Sequence, residues 1–344
     1  MAKLRLGLVG AGSVAEDLAG ELRDGQAVEV TAVADAEPER ARRVAQLLSC
    51  AAVDSSEDLL VRADVDAVYL AVPTFLGAML AQAAARAGKH VLIEPPGAAN
   101  PDEALHALQL ARDCGVRLCV ALADRYRPVW QRVRETVASG TLGPLQAVHV
   151  QRVVQRPAGW GDGWRGLRLQ AGGGLLLGEV LPLLDAVHWA TGLHVERVFA
   201  EHEARTAGIE VEDTAVITIG YRDGAVGSVA ASWSAPGGAG PLGDGGVRIV
   251  GAQGQLVTDG QRLWAFAADW AEVELPPATS PRVRLLDDFA RALAGGAPAP
   301  VADDAGLEAM KVVGAAYSAR RLGRSVRPDE VLQKVVMATW TTVG

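Results

Sequence analysis

Gly10-Ala11-Gly12 follows directly on the apolar run Leu4 to Val9, and a helical pattern begins at Ser13. A glycine at the first of these positions permits a tight turn. One at the second lets the backbone approach a pyrophosphate held at the helix N-terminus. Ala15 supplies the third small residue, where helix and strand pack closely. Asp35 ends a second apolar run about twenty residues further on, where a carboxylate accepts hydrogen bonds from ribose hydroxyls and repels a 2′-phosphate. The combination is that of a dinucleotide site and favours NAD, with NADP the weaker alternative. Arg40 and Arg42 lie near enough to soften that preference. The competing reading is a fold of the same type with a vestigial pocket.

A second group of reactive types occupies the irregular stretch Arg156 to Gln170, with Trp160, Asp162, Trp164, Arg165 and Arg168. Indole faces can stack a ring or a sugar, and guanidinium groups pair with carboxylate or phosphate. The bland alternative is a loop plug packed on a sheet. Cys50, Cys114 and Cys119 are an odd set without framework spacing, so neither a disulfide scaffold nor a metal site is expected.

The elements that must position these groups follow from periodicity. Apolar runs at Leu4 to Val9, Val28 to Ala34, Ala67 to Val72, His90 to Ile93 and Arg117 to Leu122 alternate with helical patterns, among them Pro38 to Leu48 and Pro101 to Cys114. That alternation predicts a doubly wound parallel sheet with crossover helices, an N-terminal Rossmann fold over about residues 1–122. Beyond it the pattern changes. Pro128 to Ser139 is helical, Val148 to Gln155 is a strand, and Gly172-Gly173-Gly174 leads into an apolar helix reaching Thr191. Ala215 to Tyr221, Ala225 to Trp233 and Gly246 to Val250 read as strands between glycine turns. Residues 123–344 are therefore expected to form an α/β domain with a large open, mostly antiparallel sheet, to which the family resemblance given below assigns substrate binding and oligomerisation. Helices near Arg282 to Ala294 and Ala305 to Arg321 follow, and the last helices can pack back on the first domain. Pro236 to Gly246 reads as a mobile Gly-rich loop, and Pro328 to Gly344 as a further helix.

The 344 residues carry a net charge of −8 with 49% hydrophobic and 22% charged residues, the profile of a globular chain with a full core. No basic stripe suits nucleic acid, and no apolar run approaches the roughly 20 residues of a membrane helix. With a strand beginning at Leu4, a cytoplasmic protein is expected. A small-molecule substrate and a homodimer or homotetramer are the expected partners.

The chain resembles the glucose–fructose oxidoreductase / inositol dehydrogenase / MocA family over nearly its whole length. LGLVGAGSVA and VTAVADAEPERA resemble the family's first two strands, and DAVYLAVPTFLGAMLAQAAARAGKHVLIEPP its nicotinamide-side segment. ADRYRP and SGTLGPLQAVHVQR resemble the domain crossover, GGGLLLGEVLPLLDAVHWATG the active-site helix, and VRIVGAQGQLVTDG and LGRSVR later elements. The resemblance implies hydride transfer on sugars, cyclic polyols and related alcohols. It adds Val14, Val72, Pro73 and Glu94 to the cofactor-binding set of Gly10, Ala11, Gly12, Asp35 and Arg40.

Where the family has Glu-Lys-Pro, this chain has Glu94-Pro95-Pro96. Counted without gaps, the family's helix Asp and His or Tyr fall on Gly178 and Pro182, while Asp185 keeps its expected Asp. A frequent family His falls on Gly77, and a frequent Asn on Ala123. Alcohol oxidation needs a base and ketone reduction an acid, help worth about 10²–10⁴ in rate, and proline has no side-chain proton to give.

Candidate catalytic groups are then Glu94, Tyr126, Glu179 and Asp185. Tyr126 is read either as a proton donor or as packing, and Glu179 either as a replacement acid or as a sheet-facing carboxylate. Candidate substrate contacts are Arg125, Trp160, Trp164, Arg165, Arg168 and His188, the last also readable as a surface or interface histidine. Three functions stay open: an atypical NAD-dependent oxidoreductase on a sugar-like, polyol or secondary-metabolite substrate; a non-redox enzyme for cyclisation, elimination or isomerisation; or a non-catalytic cofactor-sensing or partner subunit.

Overall fold

A computed structural model describes residues 3–22, 27–156, 159–233, 245–295 and 301–332. The chain divides into two compact units, Met1–Tyr126 with Ala278–Gly306, and Arg127–Pro277 with Leu307–Gly344. The sequence places the break near residue 122 and lets the last helices pack back on the first unit. The observed division falls a few residues later, and the segment Ala278–Gly306 returns to the first unit.

In the first unit, β1 (Leu4–Val9), β2 (Val28–Ala34), β3 (Ala51–Val53), β4 (Ala67–Leu70), β5 (His90–Ile93) and β6 (Leu118–Val120) form one parallel sheet in the order β3-β2-β1-β4-β5-β6. Crossover helices cover both faces, so the strands read as unbroken apolar runs rather than alternating ones. Every residue of β4 is buried. β3 was not foreseen, because three residues at a sheet edge carry no periodic signal. The strand order reverses between β1 and β4, and in open sheets of this kind ligands bind outside the carboxyl ends of the strands at such a point.

The helices of this unit begin where local chemistry starts them. α1 (Ser13–Glu21) follows the glycine turn, and α2 (Pro38–Leu48) and α5 (Pro101–Asp113) carry proline in their first turns. Asn100 caps α5 by accepting the Glu103 N–H at 3.0 Å, and Glu103 reaches back to the Ala99 N–H. α3 (Ser56–Leu60) is capped by Ser55, whose Oγ accepts the Asp58 N–H at 3.0 Å, and α4 (Thr74–Arg86) starts directly after Pro73. α9 (Pro281–Leu293) belongs to this unit although it lies far along the chain.

The second unit is built on a sheet in the order β14-β13-β12-β11-β7-β10-β9-β8. Its inner strands are β7 (Leu145–Val153), β9 (Thr214–Tyr221), β10 (Val226–Ser232), β11 (Gly245–Gly251), β12 (Gln255–Thr258) and β13 (Leu263–Phe266), and β8 (Val195–Glu203) and β14 (Trp270–Val273) form the edges. All pairings are antiparallel except β7 with β10. Burial alternates, with Ala215, Ile217, Ile219 and Tyr221 inside and Val216 and Thr218 outside, the signature of a sheet covered on one face. α6 (Pro128–Ala138) packs on α8 (Leu181–Thr191), α7 (Arg168–Ala171) is a single turn ahead of the triple glycine, and α10 (Ala305–Leu322) reaches β8 through Arg320 and Glu201. Most of the expected Gly-rich loop and of the expected tail helix lie outside the described residues.

Candidate active site

Gly10 adopts φ +92°, and a Cβ there would fall inside the van der Waals envelope of the Ala71 carbonyl oxygen at the end of β4. Only glycine allows the chain through this gap. Gly12 is the N-cap of α1, has no capping side chain, and has nothing within 4 Å of the place a Cβ would occupy. The first amides of α1 are thus left open to an anion. Ala15 is fully buried beneath them. The Asp35 carboxylate accepts the Ala11 N–H at 2.6 Å and the Glu37 N–H at 2.8 Å, which fixes it beside the turn. Each oxygen still has a lone pair for a ribose hydroxyl. Arg40 is ion-paired with Glu37 at 2.9 Å on the exposed start of α2. An open helix end, a backbone gap and an oriented carboxylate fit a dinucleotide.

Val72 and Pro73 continue from β4 at the same edge of the sheet, and Glu94 follows β5. Glu94 is engaged on all sides. It accepts a short hydrogen bond from the Tyr69 hydroxyl and pairs with Arg282 Nε of α9 at 3.3 Å. Arg282 also meets Glu21 at 3.4 Å, and Ser280 donates to Glu21 at 2.7 Å. Burial pushes the Glu94 carboxyl above the usual carboxylate range, against the pull of Tyr69 and Arg282. Gly77 in the first turn of α4 is a point of close approach, since a Cβ there would lie 2.5 Å from the Gly97 carbonyl oxygen.

Tyr126 is 1% exposed. Arg284 of α9 lies over its ring and donates to its carbonyl at 3.1 Å. Burial, then the facing Asp288, push its phenol well up. This placement packs the Tyr126 ring into the first unit. Arg125 beside it is buried as well.

In the second unit, Pro182 explains the shape of the apolar helix. Proline lacks an N–H and its ring clashes with the carbonyl four residues back, here that of Gly178. The expected continuous helix is therefore a π turn at Leu176–Val180 followed by α8, with Pro182 in the first turn of α8. Such turns occur often at functional sites. Gly178 is exposed on the π turn, and a Cβ there would meet only Trp233, at 3.9 Å. Glu179 pairs with Arg152 of β7 at 3.0 Å, so it is the sheet-facing carboxylate rather than a free acid. Asp185 is 6% exposed within α8. His188 packs edge-on against Tyr221 with its Nε2 3.2 Å from the Tyr221 hydroxyl, and burial, then His194, push its pKa down to about 4. That contact gives its Nε2 a partner within the second unit.

Trp160 packs against Trp233 with ring centroids 4.2 Å apart, and the Arg156 guanidinium lies over Trp160 at 4.8 Å. Arg165 lies over Trp164 at 4.5 Å. Arg168 is turned to Glu210, its N–H donating to the carboxylate at 2.9 Å and its Nη2 to the carbonyl oxygen at 2.5 Å. The structure thus places Trp160, Trp164, Arg165 and Arg168 on one folded stretch, while the contact shown for His188 is to Tyr221.

Residues 4–122 match the model of an oxidoreductase family with an NAD-binding Rossmann fold, Gfo/Idh/MocA, and residues 130–257 match that family's C-terminal domain. A 1,5-anhydro-D-fructose reductase of Ensifer adhaerens is 31% identical over 64% of this chain and 67% of its own. The chain belongs to the Gfo/Idh/MocA oxidoreductase family. A dTDP-3,4-didehydro-2,6-dideoxy-alpha-D-glucose 3-reductase of Streptomyces violaceoruber is 32% identical, but over only 62% of each chain. The solved WlbA dehydrogenase of Bordetella pertussis, in complex with NADH and UDP-GlcNAcA, is 26% identical and superposes with a TM-score of 0.84 over 94% of this chain and 98% of that one.

Two anchors of this Gfo/Idh/MocA chain were not foreseen. Glu212 is 1% exposed and accepts the N–H groups of Gly174 and Leu176 at 3.0 and 2.9 Å and the Tyr317 hydroxyl at 2.9 Å. It holds the start of the π turn. The triple glycine signalled a close approach, since a Cβ at Gly173 would overlap the Tyr317 hydroxyl, yet nothing nearby named the partners. The second anchor is Arg282, whose distance from Glu94 along the chain hides their contact.

Proposed function

We propose that the chain is an NAD-dependent oxidoreductase acting on a sugar-related alcohol or ketone. The observation that carries this reading is the Asp35 carboxylate, held by the Ala11 and Glu37 N–H groups beside an open helix end. The Gly10–Gly12 turn and the α1 amides hold the pyrophosphate. Asp35 takes the ribose hydroxyls and repels a 2′-phosphate. When bound, the nicotinamide accepts or supplies the hydride. Sugar-related reductases among its relatives support a substrate of that class.

The proton is the unusual part. Pro95 and Pro182 carry none, Gly178 has no side chain, and Glu179 and Glu94 are held in ion pairs. Proton transfer then falls to substrate groups or water, and turnover is slow by about 10²–10⁴ relative to a site with a positioned acid or base. Self-association fits the exposed face of the second unit's sheet, where Val216 and Val226 are 53% and 56% exposed, and a cytoplasmic location fits the same reading.

NADH and NADPH titrations, read by energy transfer from tryptophan, test it. NADH is expected to saturate and NADPH to bind at least tenfold more weakly, with Asp35→Ser narrowing the gap. Failure of both to bind overturns the oxidoreductase reading in favour of non-redox chemistry or a non-catalytic role. The combined Pro95→Lys, Gly178→Asp, Pro182→His variant is expected to raise polyol oxidation by about 10²-fold or more. No gain with NADH still bound would mean that the site has been rebuilt for other chemistry.

A further inference from the structure

Arg156 and Arg165 present an unusual state for a guanidinium. Among the described residues neither meets a carboxylate. The Nε of Arg156 is buried with no hydrogen-bond partner. Arg165, on the same stretch, is an exposed side chain whose guanidinium is partly covered, which lowers its pKa. Asp162, the acid within this stretch, lies instead against Gly159. The buried, unpartnered N–H of Arg156 is costly and is completed by an anion, while Arg165 stands open beside it on the same stretch.

The local build favours such an anion. The stretch closes on itself at Gly161 and Gly166, where a Cβ on Gly166 would overlap the Gly161 carbonyl oxygen. The Arg156 guanidinium lies in the space that a Cβ on Gly161 would fill. Each guanidinium is stacked over an indole, Arg156 on Trp160 and Arg165 on Trp164. Stacking fixes the plane of the group and leaves its edge N–H fork free for bidentate contact with a phosphate or carboxylate. Trp160 is itself braced by Trp233, beside the exposed Gly178 of the π turn.

We propose that Arg156 and Arg165, stacked on Trp160 and Trp164, form an anion subsite, so that the substrate is a sugar bearing a phosphate or carboxylate group. This rests on the oxidoreductase reading for the word substrate. The subsite itself lies wholly in the second unit and is independent of cofactor binding.

The test is a tryptophan-fluorescence titration of the full chain, with NADH saturating, using uridine 5′-diphosphate, D-glucuronate and D-glucose. Saturable binding of the diphosphate or of glucuronate, weakened by salt and at least tenfold tighter than glucose, is expected. Tighter diphosphate binding identifies a phosphate-bearing sugar, and tighter glucuronate binding a carboxylated one. Arg156→Met and Arg165→Met are each expected to weaken the preferred anion at least tenfold without altering NADH affinity. Gly161→Ala, which displaces the Arg156 guanidinium while keeping its charge, is expected to do the same. No preference over glucose, or anion binding undiminished in the Arg156→Met/Arg165→Met double variant, overturns the proposal. The titrations are repeated without NADH, so that lost NADH binding with anion binding intact sinks the oxidoreductase reading alone.

Discussion

Gly77 and Gly178 stand at two positions where the family resemblance led us to expect a polar side chain, and the structure treats them in opposite ways. At Gly77, in the first unit, the Gly97 carbonyl occupies the space, and a Cβ would lie 2.5 Å from it. At Gly178, in the second unit, the position is exposed and a Cβ meets only the Trp233 ring at 3.9 Å. Around Gly77 the backbone has closed over the missing group. Around Gly178 the space is open, on a π turn beside an aromatic stack. A missing side chain alone does not say whether its space survives, because close packing lets either backbone or solvent replace it.

The comparison can be broken most sharply at Gly77. Gly77→His is expected to destabilise the protein by about 3 kcal/mol, because fixed backbone rather than a flexible side chain must yield. A denaturant midpoint close to the parent's would show that the loop at Gly97 gives way easily. Arg282→Met comes next. It leaves Glu94 buried without its cation, and since both side chains keep some exposure the expected loss is about 2–3 kcal/mol. Equal stability would show that α9 does not hold the end of β5 through this pair.

His188 gives a similar magnitude with a pH signature. Its pKa is pushed down to about 4 in the folded protein, against an ordinary value of 6.5. Between those values the unfolded chain binds the proton and the folded chain does not. Stability therefore rises with pH across that window and is lost as pH falls through it. Unfolding free energies measured from pH 4 to 7 are expected to show about 2 kcal/mol more pH dependence in the parent than in His188→Asn. Superimposable pH profiles would place His188 outside the buried contact with Tyr221. The smallest effect is expected at Gly178→Asp, within about 0.5 kcal/mol of the parent, as for an exposed position. A large loss there would erase the contrast with Gly77.

The first unit was legible to the residue in several places. β1, β2, α2 and β5 begin and end where apolar runs meet glycine, proline or a capping pattern. The turn at Gly10 was readable because its requirement is local, a left-handed backbone pressed against the next strand. The carboxylate of Asp35 was readable as a position, but its hold on the Ala11 N–H was not, because that bond joins two strand ends. In the second unit the alternation in β9 and β10 gave the strands, yet not the parallel pairing of β7 with β10, which depends on sheet assembly.

Sequence by itself determined that this chain folds as a Rossmann unit of the NAD-binding type joined to an open-sheet unit, with the glycine turn at the end of β1. Both rest on periodicity and on glycine and proline, whose constraints act within a few residues. Tertiary structure alone decided what each polar candidate is for. It drew Glu94 to Arg282, Glu179 to Arg152, His188 to Tyr221 and Glu212 to the start of the π turn, and among the described residues left Arg156 and Arg165 without an acid. A side chain's type fixes the bonds it can make, but its partner is set by which distant segments the core brings within hydrogen-bond reach.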